Sequence, residues 1–393
     1  MASDSLPQYD FESITEEWLR GKHGKKWHQV APLLGAWVAD MDFRPAPVIE
    51  RHLRAMIDGG DLGYPERDPA HGRMRSVTAF VDRMASRHDW HISPAHVREW
   101  SDVVQSLQAY LHVTTQPGDR VVVHTPGYPP FFDSIGGNQR ELLAVPAVIE
   151  NGTVTFDHGA LDLQLEATPA AAMILCNPHN PTGHVFTHEE LEHLLDIAER
   201  HDLVIISDEI HAELVHSGAV HVPIATLPGA VERTITLTSA SKPFNIAGLH
   251  YAVSHCAVPR VNERMDALPD HLFGSPNIMG SEAARVAWTE GDEWLAAVVA
   301  HLESMRDLAI DLVSELLPGV RVHRPDATYL AWLDCSATSI AANPCDAFRA
   351  AGVEVSPGTS FGPGGAGHVR LNFATSSAML RTIITTMSRA LSR

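Results

Sequence analysis

Lys242 closes the string Ser239-Ala240-Ser241-Lys242, an amine set among hydroxyls directly after the apolar run 234–237. Such an amine can bond covalently to a carbonyl, and it becomes a base once burial makes its charge costly. Asp208 lies in Ser207-Asp208-Glu209-Ile210-His211, after the apolar run 203–206. Asn180 lies in Asn177-Pro178-His179-Asn180-Pro181-Thr182-Gly183, after the run 172–176. Tyr128 lies in Thr125-Pro126-Gly127-Tyr128-Pro129-Pro130, after the run 120–124. Each residue has an ordinary reading when taken alone. Asp208 can cap a helix, Asn180 can form a turn, and Tyr128 can fill a core. His211 reads more readily as a packed or capping histidine. Ser-x-Ser-Lys at the end of an apolar run, however, makes a poor solvated face.

The elements that must position these residues share one pattern. Residues 120–124, 172–176, 203–206, 234–237, 328–333 and 368–373 read as buried strands. Helical patterns begin at Pro47-Val48-Ile49-Glu50, recur in Val103, Val104, Leu107, Tyr110 and Leu111, span 188–201, and fill most of 276–317. Strand, helix, strand in this order means crossover connections and a parallel sheet covered by helices. Ligands in such folds sit beyond the carboxyl ends of the strands. Four strand ends therefore offer a lysine between hydroxyls, a carboxylate, a rigid Asn-Pro loop and an aromatic ring. Pyridoxal 5′-phosphate (PLP) needs this set: a Schiff-base lysine, an acid for the pyridine nitrogen, phosphate donors and a stacking ring.

Composition narrows the alternatives. The 393 residues hold 29 Lys plus Arg against 48 Asp plus Glu, a net charge of −19. That charge argues against nucleic acid and against an anionic membrane as partner. The N-terminal MASDSLPQYDFESITEEWLR is acidic and lacks the apolar run of a secretory signal. Cys176, Cys256, Cys335 and Cys345 form no CxxC pair, so a reducing cytoplasm is expected. The 24 histidines are numerous and have no account at this level.

SDEIH, NPHNPTG and Ala240-Ser241-Lys242 followed by Phe244-Asn245 resemble the fold-type I PLP enzymes, the aspartate aminotransferase superfamily. Trp37-Val38-Ala39-Asp40-Met41-Asp42-Phe43, Thr328-Tyr329-Leu330-Ala331-Trp332-Leu333-Asp334, and the stretch from Pro357-Gly358 to His368-Val369-Arg370-Leu371-Asn372 narrow the resemblance. It is closest to the cystathionine β-lyase-like C–S lyases of the MalY/PatB type. The resemblance implies an α/β fold: a large domain with a mostly parallel seven-stranded sheet between helices, and a smaller α+β C-terminal domain. The change of pattern near residue 275 sets the expected domains at 48–275 and 276–393, with 1–47 joining the small domain.

The resemblance also implies roles. Lys242 would carry PLP and then act as base at the substrate Cα, and Asp208 would keep the ring nitrogen protonated. Asn180, helped by His211, would bind the ring hydroxyl, and Tyr128 would stack on the ring. Ser239, Ser241 and the backbone amides of Val103, Val104 and Gln105 would hold the phosphate, joined by Tyr64 from the partner of a homodimer. Arg370 would clamp the substrate carboxylate, with Ala39 and Asn180 beside it. Two departures stand out. His250 occupies a position where many aminotransferases have a phosphate-binding arginine, as C–S lyases also tend to lack it. Asp102 places an acid where relatives have a small residue next to the phosphate.

The activity implied is β-elimination of a thiol from cystathionine or an L-cysteine S-conjugate, giving pyruvate and ammonia. The alternative is a class I/II aminotransferase, which shares the early steps. A PLP-binding regulator is disfavoured because no helix-turn-helix pattern precedes the fold. No metal is expected. His188 and His193 in HEELEH are five apart, about 140° around a helix, and cannot easily share one ion. Gly362-Pro363-Gly364-Gly365-Ala366-Gly367 fits GxGxxG but precedes a strand, so it reads as a loop rather than a dinucleotide site.

Overall fold

The computed structural model describes residues 9–150, 152–269 and 271–391. Pro7 and the other residues of 1–8 lie outside the described residues. The large sheet comprises β1 (Val97–Trp100), β2 (Arg120–Thr125), β3 (Glu141–Glu150), β4 (Thr153–Phe156), β5 (Ala172–Cys176), β6 (Val204–Asp208), β7 (Thr234–Thr238) and β8 (Ala252–Cys256). Their spatial order is β1-β8-β7-β6-β5-β2-β3-β4. The block from β7 to β3 is parallel, while β8, β1 and β4 run antiparallel to their neighbours. The sheet therefore has one strand more than the seven expected. The extra strand is β4, which folds back on β3 as an edge hairpin, and its exposed threonines gave only a weak sequence signal.

Alternation along the central strands divides the core between two faces. Val121, Val123, Ile174, Ile206 and Ile235 pack with the helix Val103–Thr114 on one face. Val122, Met173, Leu175 and Ile205 pack with the helices His158–Ala167 and His188–Arg200 on the other. This two-sided burial explains the continuous apolar runs. The helix at 188 opens with a capping box formed by Thr187 and Glu190.

A second, antiparallel sheet comprises β9 (Arg321–Val322), β10 (Leu330–Asp334), β11 (Ser356–Pro357) and β12 (His368–Asn372), in the order β9-β10-β12-β11. β10 starts two residues later than expected, because Thr328 has φ +73° and breaks the extended run. The helical stretch expected over 276–317 is two helices, Ile278–Glu290 and Asp292–Leu316. They part at Gly291, where a Cβ would lie 2.4 Å from the Phe244 ring.

The segment before residue 47 holds two short helices, Glu16–Arg20 and Lys25–His28. It also holds Leu34–Gly35, which pairs in parallel with Val353–Glu354. One apolar cluster runs from Phe11 through the helix Arg75–His88 to Ile383 and Met387. Among the described residues, no helix is long and apolar enough to cross a membrane.

Candidate active site

Asp208 ends β6, and Lys242, Asn180 and Tyr128 follow the ends of β7, β5 and β2; the spatial order of these strands is β7-β6-β5-β2. Parallel register brings the strand ends level, with Cys176 opposite Asp208 and Asp208 opposite Leu237. The four side chains converge on a cavity of about 250 Å³ that Ala39, Val103, Val104, His211, Ser239, Ser241 and His250 also line.

Lys242 is part-buried, and its Nζ donates to the Ala39 carbonyl at 2.8 Å. Burial lowers its pKa, and Arg370 adds to the effect, while Asp40 and Asp208 oppose it. Asp208 is buried, and its Oδ1 accepts from the Ile210 amide at 3.1 Å. Burial raises its pKa to about 7, and repulsion from Glu209 adds to the rise; the Ile210 amide and Lys242 pull the other way. His211 is buried with no partner on Nδ1, and burial, with help from Lys242 and Arg370, drops its pKa to about 3. It stands in the site as a neutral ring.

Arg370, on β12, is buried behind the cavity. Nη1 donates to Asn180 Oδ1 at 3.0 Å, and Nη2 donates to the Trp37 carbonyl at 2.9 Å and to Ser356 Oγ at 3.2 Å. Its Nε has no partner, its guanidinium carbon lies 5.0 Å from the Phe361 ring centroid, and burial brings its pKa to about 10. Arginine only donates, so the Asn180 carbonyl oxygen must face Arg370 and its amide NH₂ faces elsewhere. Asn180 is held by a loop whose Asn177 amide donates to the Asp208 carbonyl, tying this loop to the neighbouring strand end. Tyr128 is half-buried at the start of the helix Pro129–Gly137, its ring edge-on to Phe131 at 5.5 Å.

The phosphate-binding group expected from the sequence is only partly assembled. Asp102 is the N-cap of the helix Val103–Thr114, and its carboxylate takes the Gln105 amide at 2.7 Å. The Gln105 amide is therefore spent within the protein, and Gln105 does not line the cavity, whereas Val103 and Val104 do. The same cap explains the acid at position 102: it satisfies a first-turn amide. Ser239 Oγ donates to the Tyr251 carbonyl at 2.6 Å and accepts from the Ser241 amide. Tyr64 is fully exposed and lies away from this cavity.

Sequence reasoning missed Tyr329 as an individual residue. Its hydroxyl donates to the Ala39 carbonyl at 2.8 Å, and its ring lies edge-on to His211 at 6.2 Å. The available signal was a tyrosine in an otherwise apolar strand, whose hydroxyl must find a partner. Asn245 was also missed; its amide bonds the Met41 and Phe43 carbonyls.

The four cysteines are free and buried, and Cys176 lines the cavity. His188 and Glu192 form an exposed pair on the helix face.

Comparison with known proteins identifies the family. Cystathionine beta-lyase PatB of Bacillus subtilis (strain 168) is 33% identical over 384 residues, covering 95% of this chain and 97% of its own. A cystathionine beta-lyase of Corynebacterium glutamicum is 33% identical over 370 residues, covering 93% and 95%. The PLP-bound C–S lyase of Staphylococcus hominis superposes with a TM-score of 0.89 at 28% identity, covering 98% of this chain and 99% of that one. The family model for aminotransferase class I and II matches residues 76–387. A continuous match of that length places this chain in the aminotransferase class I and II family.

Proposed function

We infer that the protein is a PLP-dependent C–S β-lyase of the cystathionine β-lyase type. The observation that carries this reading is the convergence of Lys242, Asp208, Asn180 and Tyr128 on one cavity from four adjacent strand ends. The residues fit the cofactor. Lys242 would hold it through its amine, Asp208 would face the ring nitrogen, and Tyr128 would lie against the ring. The unpartnered His211 Nδ1 and the Asn180 amide would serve the ring hydroxyl. The Val103 and Val104 amides at a helix N-terminus, with Ser241, would serve the phosphate.

Bound PLP supplies an electron sink for the pair left when a Cα proton is removed, and return of that pair expels a thiolate from Cβ. The protein's part is placement and proton transfer. Arg370 would take the substrate carboxylate with its unpaired Nε and its forked face, while Asn180 and the Trp37 carbonyl hold the guanidinium plane. Lys242, freed by the substrate amine, would receive the Cα proton. Burial lowers its pKa, which favours the neutral amine that must accept this proton. A cationic ring nitrogen opposite Asp208 would return that buried carboxyl to its ionised form.

The same reading includes a cytoplasmic homodimer in which Tyr64 reaches the partner's site; its full exposure at a loop tip supports this. It also includes a division into a cofactor-binding body, 48–275, and a body of 276–393 joined by 1–47, which the pairing of Leu34–Gly35 with Val353–Glu354 supports. Purified protein with PLP and L-cystathionine, and no 2-oxo acid, tests the function. Equimolar pyruvate and free thiol are expected. Conversion only when a 2-oxo acid acceptor is added would replace the lyase with an aminotransferase.

A further inference from the structure

The segment Trp37 to Phe43 meets the cavity at Ala39 and forms a strap whose carbonyls are all taken by side chains. Arg370 and Ser356 hold the Trp37 carbonyl, and Asn372 holds that of Val38. Lys242 and Tyr329 share the Ala39 carbonyl, each at 2.8 Å. Lys26 and Asn372 hold Asp40, Asn245 holds Met41 and Phe43, and Lys22 holds Asp42. Ala39 is distinct among these: one of its two donors is the amine that the chemistry needs elsewhere. Whenever Lys242 turns to cofactor or substrate, the Ala39 carbonyl keeps only Tyr329.

The structure places Tyr329 with unusual insistence. The preceding Thr328, a β-branched residue, is buried at φ +73°, a conformation such residues rarely adopt. It persists because the surroundings over-determine it. The Thr328 amide donates to the Leu214 carbonyl, and its own carbonyl accepts from His216 Nε2 at 2.8 Å. The Thr328 hydroxyl accepts from the Leu330 amide, and Val215 and Ala327 form a bridge alongside. These bonds tie the start of β10 to the turn that carries His211, and so aim the phenol at Ala39.

We propose that Tyr329 is a positioning residue for the β-lyase reaction: its hydroxyl keeps the Ala39 carbonyl, and with it the 37–43 strap, in place while Lys242 leaves that carbonyl to work on cofactor and substrate. The inference rests on the functional reading above. It goes beyond that reading by assigning Lys242 an acceptor in the cofactor-free protein and by naming the donor that takes over.

Hydrogen exchange of peptides covering 36–44 tests it, in wild type and Tyr329→Phe, each with and without PLP. Without PLP, Lys242 remains on Ala39, and the variant's strap is expected to exchange within about threefold of wild type. With PLP, the variant's strap is expected to exchange about tenfold faster while wild type stays protected. KM for L-cystathionine should rise about tenfold, with kcat within about threefold. Equal loosening with and without PLP would mean a purely structural role and would overturn the proposal, as would no loosening in either state. Failure of wild type to take up PLP would instead sink the functional reading. The sharing of Ala39 is then decided in cofactor-free protein. Lys242→Ala and Tyr329→Phe should each leave the strap protected, and only the double variant should loosen it. A single variant that loosens the strap as much as the double one would refute the sharing.

Discussion

Two regions of this molecule bury clusters of titratable side chains, and only one of them is built for chemistry. Beneath β2 and β4, the His124 ring packs edge-on to Phe156 at 4.6 Å, Phe186 at 5.1 Å and His158 at 5.4 Å. His179 and His184 complete the cluster around the same phenylalanines. Burial, aided by the neighbouring histidines, holds His124 well below its usual pKa and His179 at about 3. His179 is lowered as far as His211 is in the cavity. Yet these rings pack on one another and on the phenylalanines, with His124 Nε2 turned to His158 Nε2 at 3.3 Å and His179 Nδ1 to Thr182 Oγ1 at 2.8 Å, while His124 Nδ1 and His179 Nε2 have no partner. In the cavity, groups of opposite kind — amine, carboxyl, amide, neutral imidazole — face a common volume, with the Arg370 guanidinium behind it. Perturbed pKa values thus mark burial, and convergence on a space marks a site. Part of the histidine excess is explained on the same ground: these histidines act as core aromatics.

That contrast is open to attack, beginning with the largest effect. Lys242→Ala should lower β-lyase turnover by roughly 10³-fold or more and abolish the visible absorbance of bound cofactor, with the fold retained by circular dichroism. Mixing it with Tyr64→Ala should restore part of the activity if Tyr64 crosses to the partner; no recovery on mixing would place Tyr64 outside the reaction. A Lys242→Ala protein that keeps its turnover would remove the distinction between the two regions.

Asp208→Asn should cost about 10²–10³-fold in kcat. In cofactor-free protein it should do the opposite to stability. A carboxyl raised from 3.8 to about 7 on folding contributes stability below pH 3.8 that is lost as pH rises through 7. The asparagine variant should therefore melt higher than wild type at pH 8, by the equivalent of a few kcal/mol at most, roughly, and the gain should vanish near pH 4. No gain at pH 8 would mean that the carboxyl ionises freely in the folded protein.

The histidine cluster should behave in reverse. His158 is lowered from 6.5 to about 4, chiefly by burial, so folded-state stability is full above pH 6.5 and falls as pH drops towards 4. His158→Gln should flatten that fall by on the order of 1–3 kcal/mol and leave kcat at pH 8 unchanged. A loss of kcat at pH 8 would show that the cluster serves the reaction. The smallest effect is expected at Asp102→Ser, which keeps the helix cap and removes a charge beside the phosphate-facing amides. PLP affinity, measured by titration of cofactor-free protein, should rise about two- to fivefold. Weaker binding would mean that the carboxylate itself contributes to the cofactor site.

Much of this architecture was legible in the chain. The runs at 172–176 and 234–237 are buried on both faces, so their strands and the residues after them could be read directly. Lys242, Asp208 and Asn180 were found because each follows such a run. Less was visible where tertiary contacts decide. Thr328 reads as a strand former, but its bonds to Leu214 and His216 hold it at positive φ. Asp102 looked hostile to an anion until its bond to the Gln105 amide accounted for it. The strap at 37–43 is recognisable as a string, but the side chains that hold it come from as far away as Asn372, and no local pattern announces them.

The central claim is that this cavity, through Lys242, holds the cofactor. Borohydride reduction of the PLP-loaded protein, followed by peptide mapping, tests it most directly. The account predicts one pyridoxyl-modified peptide, the one containing Lys242. Label on any other lysine, or a PLP-loaded protein that yields no labelled lysine, would contradict it.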